Sequence, residues 1–89
     1  MFAIARFSIP LGEVTQFRAE LEQAKDVLSG APGFISAFIG QNLDEPELWA
    51  LTTQWENVGS YRRALSSTRA KLEAIPVLAR AIDEAGAYE

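Results

Sequence analysis

The stretch LWALTTQWE, residues 48–56, runs directly into NVGSY, residues 57–61, and this junction decides the fold. Its first part alternates with a period of two, which is typical of a β-strand. The residues predicted to share one face of this strand are Trp49, Leu51, Thr53 and Trp55. Asn57 is a favourable N-cap for a helix that would begin at Val58. The pattern therefore predicts a strand that leads straight into a helix, with Trp55 and Tyr61 beside the junction.

Other segments on both sides of this junction have clear patterns. Apolar residues alternate over residues 2–9 and 33–41, which predicts two more strands. Over residues 13–29 the apolar spacing is three and four, as in an amphipathic helix, and Gly30 is expected to end it in a left-handed conformation. The second helical region is interrupted near Thr68, which could cap a new segment, and again at Pro76. Residues 86–89 are a candidate last strand.

The resulting order, β-α-β-β-α-β, predicts a single α+β domain over residues 1–89 with a ferredoxin-like antiparallel sheet and its helices on one face. The strand over residues 33–41 is apolar on both sides, so its second side also needs cover. A second copy of the chain is the simplest cover, which predicts a homodimer closed sheet to sheet. Aromatic residues are enriched in such interfaces, and Phe34, Phe38 and Trp49 are the candidates.

Composition excludes several function classes. The chain has no Cys and no His, which argues against a transition-metal site and excludes a Cys nucleophile or a His-based triad. A net charge of −4 without a basic patch argues against nucleic-acid binding. No apolar run reaches the roughly 18–20 residues that span a bilayer. The N-terminus also lacks the order of a signal peptide, so a cytoplasmic location is expected.

The sequence resembles the antibiotic biosynthesis monooxygenase family. The likeness lies in the turn Pro32-Gly33-Phe34, in a third strand ending Gln54-Trp55-Glu56, and in the helix that carries Tyr61. It implies a dimeric α/β barrel. Within the family, some members resemble cofactor-independent oxygenases of aromatic polyketides, some degrade haem, and many have no known reaction.

The haem-degrading branch can be compared residue by residue. It uses an Asn on the first strand, a Trp on the second helix and a His ten residues later. In this chain the Trp position falls at Ala64 and the His position at Ala74, and residues 2–9 contain no Asn. The resemblance therefore does not extend to haem degradation.

Two functions remain open, and whether the chain is an enzyme is left undecided between them. The first is a monooxygenase without cofactor that acts on a small aromatic, polyketide-like or quinol molecule. The second is a non-catalytic dimeric module that binds a small apolar or aromatic ligand. The first needs a cavity between sheet and helices that excludes water and offers hydrogen-bond donors to a substrate anion.

The candidate catalytic residues are Trp55, Tyr61 and Arg6. The aromatic pair could stack on a ligand and donate hydrogen bonds, or could simply pack in the core. Arg6 could hold an anion, or could lie at a rim, paired with Glu56 or Asp83. The candidate ligand-binding residues are Phe38, Gln54, Thr53 and Ser8.

No carboxylate of the sequence is a clear general base. Glu56, at the end of the third strand, comes closest, because a base needs a pKa raised by burial. Asp83 and Glu84 have the pattern of a solvated helix end. Acidity of the substrate itself would then have to carry more of the reaction.

Overall fold

The structure, a computed structural model that describes residues 1–89, contains four strands and four helices. The strands are β1 (Phe2–Ser8), β2 (Phe34–Gln41), β3 (Leu48–Trp55) and β4 (Ala87–Tyr88). The helices are α1 (Val14–Ser29), α2 (Val58–Ser66), α3 (Thr68–Glu73) and α4 (Ile75–Leu78), and a 3-10 turn at Leu11–Glu13 precedes α1. No helix is long and apolar enough to cross a membrane.

The four strands form one antiparallel sheet in the order β2-β3-β1-β4. β1 and β3 are central and pair along their whole length, from Phe2 opposite Gln54 to Ser8 opposite Leu48. β4 is short and pairs with β1 only at Phe2 and Ala3. β1 and β2 are joined through α1 with β3 lying between them, which is the split β-α-β arrangement. The predicted α+β, ferredoxin-like fold is confirmed.

One face of the sheet packs against the helices and forms the core. The buried side chains that the sheet contributes to this face are Ala3, Phe7, Ile9, Trp49, Leu51, Thr53 and Trp55. From α1, Phe17 and Leu21 pack against Phe7, Trp49 and Leu51, and a second cluster around Trp55 joins α1 to α2 and α3. The alternation predicted for β3 is therefore confirmed.

A β-bulge in β2 overturns part of the predicted pattern. Phe34 pairs with Trp55 and Ser36 with Gln54, so one residue of β2 between them has no partner. The bulge shifts the alternation, and Phe34 turns to the helix side, where its ring meets Trp55 edge-on at 5.4 Å. A bulge has this effect because an extra residue reverses which face the following side chains occupy.

The interface predicted from Phe34, Phe38 and Trp49 is therefore corrected. Trp49 is only 2% exposed, on the helix side, and Phe34 is half-buried there. Phe38 alone lies on the open face of the sheet, where it is 70% exposed. Phe2 and Tyr88 share the open face and stack with ring centroids 5.3 Å apart.

Some of the helix ends have the capping residues that the sequence predicts, and others do not. The Asn57 side chain caps α2 as predicted, accepting a hydrogen bond from the Ser60 backbone N–H at 2.8 Å. Ser67, and not Thr68, caps α3 through its hydroxyl. Gly30 has φ −81°, in the right-handed region. The left-handed glycine of this turn is Gly33, three residues later, with φ 88°.

Candidate functional site: a cavity between sheet and helices

A cavity of about 320 Å³ lies between the sheet and the helices, the position expected from the sequence. Its size falls at the small end of ligand pockets. Its walls are mostly apolar side chains from β1, β3, α2, α4 and the segment that follows α4. The lining residues that have polar side chains are Arg6, Thr53, Tyr61 and Glu84. An apolar chamber with so few polar groups suits a small aromatic molecule.

Thr53 is held in place by Trp55. The indole Nε1 of Trp55 donates a buried hydrogen bond of 2.9 Å to the Thr53 hydroxyl oxygen. Trp55 is 1% exposed and does not line the cavity, whereas Thr53 does. The indole N–H is therefore already used within the protein. Because the Thr53 oxygen accepts this bond, its own O–H can still donate to a ligand.

Tyr61 is the second residue with a hydroxyl group on the cavity wall. It lies on the first turns of α2 and meets the Trp55 ring edge-on, with centroids 5.8 Å apart. Removal from water raises the pKa of the Tyr61 phenol above its usual value, because burial disfavours the phenolate. At neutral pH the Tyr61 hydroxyl is therefore a hydrogen-bond donor and not a base.

Arg6 and Glu84 form an ion pair where the cavity opens to solvent. Arg6 Nη2 lies 2.7 Å from Glu84 Oε1, and the side chains are 45% and 34% exposed. The hydrogen bond from Arg6 holds the pKa of the Glu84 carboxyl below its usual value. Arg6 is thus a paired residue at a rim, but its partner is Glu84 and not the predicted Glu56 or Asp83.

The segment over residues 82–86 closes the side of the cavity beside β1. The Ile82 backbone N–H donates to the Arg6 carbonyl, and the Ile4 N–H donates to the Gly86 carbonyl, both at 2.7 Å. Gly86 permits this close approach, since a Cβ there would overlap the Ile4 carbonyl oxygen. Sequence reasoning missed Ile82 and Glu84 as cavity residues. The one available signal was Gly86, which often marks such a contact between backbones.

The seven site residues predicted from sequence do not meet in one place. Arg6, Thr53 and Tyr61 line the cavity, and Trp55 lies directly behind Thr53. The other three, Phe38, Gln54 and Ser8, belong to the opposite, open face of the sheet by their register. Arg6, two residues before Ser8 on β1, shares that open face by register and borders the cavity only at its opening. There the Gln54 amide oxygen accepts a 3.2 Å hydrogen bond from the Ser36 hydroxyl. No three His, Cys, Asp or Glu side chains cluster in a way that could hold a metal ion.

Solved structures with the same fold come from several organisms. SnoaB, a cofactor-independent oxygenase from Streptomyces nogalater, superposes with a TM-score of 0.78 at 18% identity, covering 90% of this chain and 80% of that one. A conserved protein from Methanosarcina mazei Go1 superposes with a TM-score of 0.78 at 20% identity, covering 97% of this chain and 84% of that one. A Deinococcus radiodurans protein assigned as an antibiotic biosynthesis monooxygenase superposes with a TM-score of 0.77 at 18% identity, covering 99% of this chain and 94% of that one.

At these identities the superpositions establish the fold and leave the activity open. No functionally curated protein matches the sequence. The family profile described as Antibiotic biosynthesis monooxygenase, in contrast, matches residues 1–72, which include β1 to β3, α2 and the Trp55–Thr53 pair. The chain belongs to the antibiotic biosynthesis monooxygenase family.

Proposed function

We propose that the protein is a cofactor-independent monooxygenase that oxidises a small aromatic, polyketide-like or quinol molecule in the cavity between sheet and helices. The observation that carries this proposal is the pairing of an apolar chamber with two hydroxyl donors, Thr53 and Tyr61, on its walls. Family membership supports the reaction class, and so does the shared fold of SnoaB, which is a cofactor-independent oxygenase.

The proposed reaction needs an electron-rich substrate that forms a stabilised anion. Loss of a proton from a phenol, an anthrone or a quinol gives an enolate or phenolate, which can pass electrons to O₂. For an anthrone, a CH₂ carbon becomes C=O: the carbon supplies four electrons, one oxygen atom enters the product, and the other leaves as water. The protein contributes by excluding bulk water and by donating hydrogen bonds to the anion.

Each cavity residue has a distinct role in this proposal. The O–H groups of Thr53 and Tyr61 donate to the substrate oxygen on which negative charge develops. Trp55 is a positioning residue, because it reaches the substrate only through the oxygen of Thr53. Arg6 fixes Glu84 at the opening through its hydrogen bonds to that carboxylate. A carboxylate whose pKa is lowered is a weak base, so the acidity of the substrate drives its deprotonation.

We also propose that two copies associate through the open face of the sheet, in keeping with the predicted homodimer. Apolar surface is exposed on this face by three aromatic residues, whose exposed fractions are 46% for Phe2, 70% for Phe38 and 47% for Tyr88. Water contact with such a patch is unfavourable, and a second sheet would remove it. In this arrangement Phe38, Gln54 and Ser8 lie between the subunits.

The second candidate function is a binding module without chemistry. It is favoured by one observation: Glu84 is the only carboxylate that lines the cavity, and Arg6 holds it in its charged form. With no strong base, the same cavity could hold an apolar or aromatic ligand and leave it unchanged.

Oxygen uptake by metal-stripped protein separates the two functions. The panel contains phenols, anthrones and quinols, with ¹⁸O₂ as oxidant and product masses as readout. Monooxygenation gives uptake and one ¹⁸O atom per product, and Thr53→Val and Tyr61→Phe should each reduce the rate roughly tenfold or more. The matched controls, Thr15→Val and Tyr88→Phe, remove the same groups outside the cavity and should retain the rate. Binding of panel members without uptake would favour the binding module.

A further inference from the structure

A second cleft lies on the far side of α2 from the cavity. It measures about 330 Å³ and is bounded by the end of α1, the turn over residues 30–32, and the facing sides of α2 and α3. Its floor is apolar, with Val27 and Ala64 from the core cluster of Trp55. The polar side chains that line it are Ser60, Arg63, Ser67 and Arg69. No carboxylate lines this cleft, although the chain carries 12 acidic and 8 basic residues.

Arg63 is the central charge of this cleft. Its guanidinium turns back along α2, where Nη2 lies 3.4 Å from the Ser60 hydroxyl oxygen. A Cβ on Gly59 would come 3.1 Å from Nη1, so Gly59 leaves room for this position. Arg63 takes part in none of the ion pairs in the structure. Arg63 is therefore held against the cleft with no carboxylate within ion-pair distance.

Arg69 and Ser60 add further donors. Arg69 bonds Glu73 at 2.7 Å, but both side chains are largely solvated, and an exposed pair of this kind is worth little. Arg69 can therefore exchange Glu73 for another anion at small cost. Ser60 is 5% exposed, and its hydroxyl oxygen accepts only the long contact from Arg63, which leaves its O–H to donate.

We propose that this cleft binds a phosphate group, either as free phosphate or as the monoester of a small molecule. Guanidinium groups match the oxygens of a phosphate in fork-like pairs, and two of them with a hydroxyl can satisfy its three terminal oxygens. The apolar floor suits a non-polar remainder of the ligand. The site is separate from the proposed oxidation cavity and does not depend on that activity.

The test is an NMR titration of the full chain with inorganic phosphate and with phenyl phosphate, at constant ionic strength set with chloride. Saturable shifts of the Arg63 side-chain Nε–H and of the Ser60 and Ala64 amides are expected. Tighter binding of phenyl phosphate would identify a monoester as the ligand, and equal affinity would identify the phosphate group alone. Shifts that do not saturate for either probe would overturn the proposal.

Variants decide whether the cleft is responsible. Arg63→Gln should weaken binding roughly tenfold, since it removes a charge-assisted contact. Arg62→Gln is the matched control: it removes the same charge one residue away and outside the cleft, and should retain the affinity. Glu73→Gln should tighten binding, because it frees Arg69 from its competing carboxylate. Equal loss in Arg62→Gln and Arg63→Gln would show only general attraction between charges and contradict the proposed site.

Discussion

The indole N–H of Trp55 donates to the hydroxyl of Thr53 at 2.9 Å, so the largest fully buried side chain of the protein is coupled to the wall of its cavity. The two residues are on the same face of β3, two positions apart, and the bond lies inside one strand. A side chain that a ligand cannot touch therefore sets the direction in which a cavity hydroxyl can donate.

Replacing Trp55 by Phe should destabilise the protein more than replacing Trp49 by Phe. Both tryptophans are almost fully buried, but Trp49 Nε1 has no hydrogen-bond partner. Trp55→Phe loses a buried bond and leaves the Thr53 oxygen without its donor, an additional cost of about 1–2 kcal/mol. Urea denaturation of both variants measures the difference. Equal losses would show that the bond contributes nothing to stability.

The raised pKa of Tyr61 predicts a loss of stability in alkaline solution. The folded state holds the phenol proton more tightly than the unfolded chain, whose tyrosine has a pKa of about 10. The contribution of the protonated Tyr61 to the unfolding free energy is therefore complete at pH values below the unfolded-state pKa, and it is lost as the pH rises through the folded-state pKa of Tyr61. Tyr61→Phe should flatten the dependence of the unfolding free energy on pH above about 10. Tyr88→Phe serves as control, and an unchanged slope in Tyr61→Phe would contradict the assignment.

The Arg6–Glu84 ion pair should stabilise the segment over residues 82–86 beside β1, and this stabilisation should depend on pH. The hydrogen bond from Arg6 lowers the pKa of Glu84 in the folded protein. The pair therefore contributes to stability at pH values above the unfolded-state pKa of about 4.3, and this contribution is lost as the pH falls through the folded-state pKa of Glu84. Glu84→Gln should speed hydrogen exchange at the Ile82 amide, which bonds the Arg6 carbonyl. Asp83→Asn is the matched control, because it removes the same negative charge at the neighbouring residue. Equal exchange in the two variants would show that the pair does not hold this segment.

Gly33 should tolerate no side chain. Its φ of 88° disfavours other residues, and a Cβ there would overlap the Ser60 side chain. Gly33→Ala is expected to cost about 2–4 kcal/mol, from backbone strain and displacement of α2. Gly12→Ala is the matched control, since nothing lies within 4 Å of its Cβ position. Thermal denaturation compares them; a Gly33→Ala variant as stable as Gly12→Ala would refute this account.

A charge on the open sheet face should separate the proposed subunits. Phe38→Lys places an ammonium group at the most exposed aromatic position of that face. Sedimentation at micromolar concentration is expected to show a folded monomer for this variant and a dimer for the parent chain. Leu72→Lys changes a residue of similar exposure, 73%, on α3 and should remain dimeric. A monomeric parent chain would disprove the association.

Local patterns predicted the fold well because the longer elements, above all α1 and β3, carry a strong period of their own. The Trp49-to-Trp55 alternation and the Asn57 cap are set by nearest neighbours in sequence, and both appear as expected. The bulge between Phe34 and Ser36 is set by pairing with β3, so no pattern within β2 could reveal it.

The site was less predictable than the fold, because it depends on contacts between distant segments. Tyr61 was identified from its place beside the strand–helix junction, and Thr53 as a polar residue of the third strand. Both line the cavity. Glu84 reaches Arg6 across 78 positions of the chain, and only the path of the segment after α4 brings them together. Trp55 was expected to touch a ligand, whereas its N–H is bound to Thr53.

The C-terminal segment supplies much of the cavity wall. The family profile ends at residue 72, yet seven of the sixteen lining residues lie beyond it: Ile75, Leu78, Ala81, Ile82, Glu84, Gly86 and Ala87. Thr53 and Tyr61 thus lie within the residues that the family profile matches, whereas much of the remaining wall is formed by the chain after α3. Substitutions in residues 75–87 can therefore reshape the cavity while the strand that carries Thr53 stays as it is.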